Sequence, residues 1–132
     1  MCIFCKILNK EIPSYKIYED EDFYAMLDIS QATPGHTLVL PKKHITNIFD
    51  LPEDLASKLF VVVKKVSDML KEKLGFNDLN ILNNSGEVAG QTVMHLHIHI
   101  IPRYSKDEIN LSPVEHEYNK ELLEKVYAKI TN

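Results

Sequence analysis

Gly90-Gln91-Thr92-Val93-Met94-His95-Leu96-His97-Ile98-His99-Ile100-Ile101-Pro102-Arg103 carries half of the chain's six histidines, at every second position. A β-strand repeats every two residues and rises about 3.3 Å per residue. The spacing therefore predicts a strand over 94–101 with His95, His97 and His99 on one face, about 6–7 Å apart. Met94, Leu96, Ile98 and Ile100 fill the other face, which helices can cover. Buried imidazole nitrogens need partners, so such a row is a costly choice for stability alone. Two other readings compete: a half-exposed strand whose polar positions happen to be histidine, and a metal triad. Zinc ligands sit about 2.0–2.1 Å from the ion, whereas His95 and His99 start about 13 Å apart. Two neighbours can share a metal; all three cannot readily do so. No Asp or Glu lies inside the run to complete a catalytic metal set, so the pattern points to nucleophilic or acid–base chemistry.

Working outward, 132 residues suit one domain spanning 1–132. Hydrophobic residues make up 45% and charged residues 26%, an ordinary globular balance. A net charge of −4 gives no electrostatic basis for nucleic-acid binding. The longest purely apolar run, Leu59-Phe60-Val61-Val62-Val63, is far too short to span a membrane. No apolar secretory segment follows the N-terminus, so a cytoplasmic location is expected. In that compartment Cys2 and Cys5 are not expected to form a structural disulfide.

Strands are predicted at 15–27, 37–41, 79–83 and 94–101, with a Gly-containing loop at 84–93. Asp50-Leu51-Pro52-Glu53 reads as a helix start, with Asp50 able to cap it. Leu55, Leu59, Val62, Val63, Val66, Met69, Leu70 and Leu74 follow at helical spacing, and Gly75 is a plausible stop. Past Pro102 the chain turns polar, until Leu122, Leu123, Val126, Tyr127 and Ile130 suggest an amphipathic C-terminal helix. The fold class is α+β, with a mainly antiparallel sheet, one long central helix and a C-terminal helix.

His95-Leu96-His97-Ile98-His99-Ile100-Ile101 fills the His-x-His-x-His-x-x signature, every x hydrophobic, of the histidine triad (HIT) family. Asp28-Ile29-Ser30, Pro34-Gly35-His36-Thr37-Leu38-Val39-Leu40-Pro41-Lys42-Lys43-His44, Asn83-Asn84 and Ile3-Phe4-Cys5-Lys6-Ile7 with Glu11-Ile12-Pro13 also resemble it. The likeness covers roughly 2–103, leaving a C-terminal extension at 104–132, and resembles the nucleoside phosphoramidase branch. Uridylyltransferase relatives carry Gln where this chain has His99.

The resemblance implies a five-stranded sheet with helices and a homodimer whose sheets join. It also implies a hydrolase acting at the α-phosphorus of nucleoside phosphoramidates or related purine nucleotidyl conjugates. His97 would be the nucleophile, forming a nucleotidyl-histidine, with its other nitrogen held by the backbone carbonyl of His95. His99, further along the same face, would donate to the phosphoryl oxygens. Gln91, Thr92 and Asn84 match leaving-group and phosphate contacts, and Thr92 stands where the family often has Ser. Turn chemistry alone is the competing explanation for Asn84 and Gly90. Asp28 matches the acceptor for ribose hydroxyls, and Ile3, Phe4, Ile7, Ile29 and Leu38 match an apolar slot for the base, though each taken singly suits a core.

Cys2 and Cys5 form a weak motif alone, readable as ordinary thiols or a redox pair. Beside His44 and the side chain of His95 they make a Cys₂His₂ zinc set, as in some bacterial members of the family. His36 is expected to support the triad, and His116 receives no role. Competing functions are dinucleoside polyphosphate hydrolysis, nucleotide-binding regulation with incidental hydrolysis, and a zinc-stabilised interaction module.

Overall fold

The computed structural model describes residues 2–132. A short helix α1 (Ile3–Leu8) precedes strands β1 (Lys16–Glu19), β2 (Phe23–Leu27) and β3 (Thr37–Pro41). The long helix α2 (Glu53–Leu74), β4 (Asp78–Leu82), β5 (Ile98–Arg103) and α3 (Lys120–Thr131) follow. The five strands form one sheet in the order β1-β2-β3-β5-β4, with every neighbouring pair antiparallel. No helix among the described residues is long and apolar enough to cross a membrane.

The sheet is covered on both faces, which is why β2 and β3 read as continuous apolar runs. On one face Phe23, Ala25, Val39 and Ile100 pack against Leu59, Val62, Val63, Val66 and Leu70 of α2. On the other, Tyr24, Met26, Leu38 and Leu40 pack with Phe4 of α1. His99 stands opposite Leu38 on β3 and opposite Leu82 on β4, so it belongs to the α1 face. The long helix supplies the core, and the opposite face is left for chemistry.

Several sequence expectations need correction. The strand expected at 15–27 is a hairpin, because Asp20 Oδ1 accepts the backbone N–H groups of Asp22 and Phe23, both at 2.8 Å, and turns the chain. The strand expected at 94–101 begins at Ile98 and runs to Arg103. Met94, expected in the buried row, is exposed, whereas Leu96 and Ile100 are buried as expected. The long helix opens at Glu53 with Pro52 at its N-cap, while Asp50 ends a separate 3-10 turn at Ile48–Asp50. Gly75 closes that helix in the left-handed conformation (φ 77°), as read. Helix α1 carries no pattern long enough to announce it. Helix α3 forms where its apolar residues predicted, yet none of its residues is buried.

Ile100 is fully buried between Thr37 of β3 and Ile81 of β4, against α2. Ile100→Ala leaves a cavity there and is expected to lower the unfolding free energy by about 2–5 kcal/mol in urea titrations. The same change at half-exposed Ile81 should lower it by less.

Candidate functional site

Residues 91–97 approach the sheet without joining it, so their backbone must be held by other means. Leu96 N–H donates to the Ile45 carbonyl at 2.6 Å, and Asn83 Nδ2 donates to the His97 carbonyl at 3.1 Å. Gln91 is buried, and its amide is spent on backbone. Its Oε1 accepts from Gly86 N–H at 2.8 Å, while Nε2 donates to the carbonyls of Thr46 (2.6 Å) and Val93 (3.1 Å). In this conformation Gln91 acts on the site by fixing the loop that carries Thr92. Gly90 turns that loop at φ 96°, a region side chains rarely adopt, and lies beside the Asn84 amide. Thr92 is exposed at the rim. A cleft of about 470 Å³ opens there, lined by Cys2, Ile3, His44, Thr46, Thr92, Val93 and Met94.

The proton positions of the triad follow from partners with only one possible role. His97 Nδ1 lies 2.7 Å from the His95 carbonyl, which can only accept, so Nδ1 carries the hydrogen. In the neutral ring, Nε2 of His97 then has a free lone pair. Ala32 N–H can only donate, and it points at His36 Nδ1 from 3.1 Å, so His36 keeps its hydrogen on Nε2. That group donates to His99 Nδ1 at 2.9 Å, which leaves neutral His99 with its own hydrogen on Nε2. A bare nitrogen on His97 thus stands beside an N–H donor on His99, with ring centroids 5.0 Å apart.

Electrostatics favours the neutral forms of His36 and His99. Burial pushes His99 down to about 4, the neighbouring His97 and His36 add to the effect, and Asp28 opposes it. Burial also lowers His36, against the pull of Asp28, whose Oδ2 lies 3.6 Å from His36 Nε2. The other oxygen of Asp28 accepts from Ser30 N–H at 2.8 Å.

Cys2, Cys5, His44 and His95 bring one donor atom each to within 4.8 Å of one another. His95 is fully buried and its Nε2 donates to the Pro41 carbonyl at 2.8 Å, so Nδ1 presents its lone pair to Cys2 Sγ (3.5 Å) and Cys5 Sγ (3.6 Å). His44 Nδ1 lies 3.3 Å from Cys5 Sγ. Zinc–sulfur and zinc–nitrogen bonds of about 2.3 and 2.0 Å in a tetrahedron separate donor atoms by about 3.3–3.8 Å. Burial raises the Cys5 thiol above its ordinary value, and the hydrogen bond and charge of Cys2 raise it further. Two sulfurs and two imidazole nitrogens converging at these separations are a donor set that fits zinc. Asp28, His36 and His99 form the other such cluster among the described residues. It does not fit, because the Ala32 N–H occupies one nitrogen of His36 and a proton the other.

The five residues expected to form the base slot do not share one environment. Phe4 and Leu38 are buried in the α1-side core, with Ile7 packed at its edge. Ile3 is half exposed and Ile29 is 88% exposed. Phe4 touches the chemistry directly, edge-on to His97 (centroids 5.1 Å) and to His95 (5.9 Å). His36 takes the supporting position expected of it. The bracing by the backbone groups of Ala32, Ile45 and Pro41 had no sequence signal, since a backbone donor or acceptor belongs to every residue, whereas Asn83, which braces through its side chain, lies in the Asn83-Asn84 segment already singled out.

A family profile described as HIT domain matches residues 9–106. The chain is 52% identical over 107 residues to "Protein hit" of Bacillus subtilis, covering 81% of this chain and 74% of that protein. It is 41% identical over 114 residues to an adenosine 5'-monophosphoramidase of Candida albicans, covering 81% of this chain and 72% of that protein. A crystal structure from Streptococcus mutans superposes with a TM-score of 0.92 at 46% identity, covering 98% of this chain and 82% of that one.

The hydrogen-bond pattern predicts distinct nitrogen-15 signatures: His97 as the Nδ1–H tautomer and His99 as the Nε2–H tautomer. His99 should remain neutral at pH 5, where an unperturbed imidazole is protonated. A value below that of the unfolded chain means stability is present above about pH 6.5 and is lost as the pH falls toward 4. Melting curves across that window check the sign.

Proposed function

Since the chain belongs to the HIT domain family, we propose that it hydrolyses nucleoside phosphoramidates or related purine nucleotidyl conjugates at the α-phosphorus, through a covalent intermediate on His97. One observation carries this reading. The hydrogen-bond chain leaves His97 Nε2 unprotonated beside the Nε2–H of His99. That is a nucleophile and a donor for developing negative charge, both set before substrate arrives. The adenosine 5'-monophosphoramidase name of the Candida albicans relative supports the substrate class.

In the proposed reaction the His97 Nε2 lone pair forms a bond to phosphorus, and the bond from phosphorus to the leaving amine breaks as the amine takes up a proton. Water then attacks the nucleotidyl-histidine, the P–N bond to His97 breaks, and the nucleoside monophosphate departs. His99 Nε2–H donates to the phosphoryl oxygen through both steps. Thr92 and Asn84 contact phosphate from the loop that Gln91 braces. Asp28, whose Oδ2 has His36 Nε2 as a neighbour only at 3.6 Å, accepts from the ribose hydroxyls. Phe4, Leu38 and Ile7 form the floor for the base, with Ile3 and Ile29 at its rim.

Cys2, Cys5, His44 and His95 would hold zinc. The ion would supply no chemistry to the reaction and would act as a structural clamp tying the N-terminus to the catalytic segment. We also propose a homodimer. Helix α3 exposes Leu122, Leu123, Val126, Tyr127 and Ile130, yet the Streptococcus mutans superposition extends over 98% of the chain. A helix unsupported by its own chain yet recurring in place is supported most simply by a second copy.

His97→Ala should lower turnover at least about 1,000-fold while nucleotide binding, followed by titration calorimetry, stays within a few fold. Acid-labile nucleotide on wild-type His97 should be recovered by peptide mapping. Turnover within tenfold of wild type in the variant would sink the covalent route. Elemental analysis of chelator-free protein should find about one zinc per chain, and less than a tenth of that in folded protein would reject the clamp.

A further inference from the structure

Cys2 and Cys5 are partly exposed, so a small oxidant reaches both. Cys2 is the N-cap of α1 and Cys5 lies three residues on, with its backbone N–H donating to Cys2 Sγ at 3.4 Å. With a rise of about 1.5 Å per residue and a Cα radius of about 2.3 Å, residues three apart in a helix have Cα atoms about 5 Å apart, inside the Cα span of about 4.4–6.8 Å that disulfides bridge. Their sulfurs already belong to one cluster of donor atoms within 4.8 Å of each other. Joining them takes rotation of both side chains and a tightening of the first turn of α1 that brings the Cβ atoms from about 5–6 Å to about 3.5–4.5 Å.

We propose that Cys2 and Cys5 are a reversible oxidation site, at which a peroxide forms a disulfide that unfastens α1 from the catalytic segment. The Cys2 thiol attacks one peroxide oxygen, the O–O bond breaks, and the departing hydroxide takes the thiol proton, giving a sulfenic acid and one water. The Cys5 thiol then attacks the sulfenic sulfur, the S–O bond breaks, the S–S bond forms, and the departing hydroxide takes the second thiol proton and leaves as a second water. Two thiols lose two electrons in total, and hydrogen peroxide is reduced to two waters.

The consequence follows from what each sulfur touches in the reduced protein. Cys2 and Cys5 are the partners of His95 Nδ1, and Cys5 is the partner of His44 Nδ1. In the disulfide those partners turn toward each other, only two imidazoles remain as metal donors, and a buried nitrogen of His95 is left unpaired. His95 is joined to His97 through its carbonyl, and Phe4, lying between the two cysteines in sequence, packs on both rings. Oxidation therefore acts on the position of the nucleophile without touching it. The contacts invoked are thiol to imidazole, so the inference goes beyond the zinc and hydrolase readings.

The test uses the full-length protein, purified reduced, treated with stoichiometric hydrogen peroxide and then with dithiothreitol. Peptide mapping should find the N-terminal peptide two hydrogens lighter, joined Cys2 to Cys5. The melting temperature should fall by at least about 3 °C, and the His97 imidazole resonances should shift, with both changes reversed by dithiothreitol. In Cys2→Ser and, separately, Cys5→Ser, peroxide should move neither quantity from that variant's own untreated value. The proposal is overturned if no such disulfide forms. It is equally overturned if the disulfide leaves melting and His97 unchanged, or if either variant responds as wild type does. Metal content measured beforehand separates the readings: a zinc-free preparation with the full reversible response sustains the oxidation site and rejects only the clamp.

Discussion

A backbone N–H can donate but never accept, and the one on Ala32 points at His36 Nδ1. From that single direction the protons of two rings follow: His36 must hold its hydrogen on Nε2, and His99 must receive it on Nδ1. The carbonyl of His95 fixes His97 by the opposite rule, since it can only accept. Main-chain groups thus set the tautomers at both ends. The side chains between them need only be neutral, and burial keeps His36 and His99 so. An acid–base site governed by solvent would change its proton pattern with each fluctuation in pH; this one is tied to the fold.

The same logic explains why residues 91–97 stay out of the sheet. A strand in register would engage the backbone of this segment in ladder bonds, and the His95 carbonyl would be taken by a neighbouring strand. Left unpaired, it is available to His97. The segment is instead held at isolated points by Ile45, Asn83 and the Gln91 amide. Strand β5 starts at Ile98, just past His97, and from there the ladder takes over. Stable pairing and the hydrogen bonding that orients His97 are placed end to end because they compete for the same groups.

The alternation of His95, His97 and His99 was readable, because side-chain direction follows backbone period even where the ladder is absent. The long helix was readable from its apolar spacing, and Gly75 from the left-handed turn that ends it. The start of that helix was not, because Asp50, Pro52 and Glu53 all resemble cap residues and only tertiary packing selects among them. The break at Asp20–Asp22 was hidden within a stretch that reads as continuous strand. Of the site, residue types were legible and saturation was not. Nothing in the letters shows that the Gln91 amide is already spent on three backbone groups, or that Ile29 stands almost fully in solvent.

The two faces of the sheet divide the work unequally. On the α2 face a 22-residue helix buries six residues, and that face supplies most of the core. On the histidine-bearing face the cover is a six-residue helix, far below the length at which a helix is stable alone. Helix α1 persists through Phe4, buried against Tyr24, Met26, Leu38 and Leu40, and through sulfur contacts to His95 and His44. The element next to His97 is therefore the one with least support of its own. Its order depends on four side chains, from α1 and its N-cap, the loop after β3 and the segment of His95, meeting at one point. Whatever occupies or alters that point acts on the site with little cost to the larger core, which lies against α2 on the other side of the sheet.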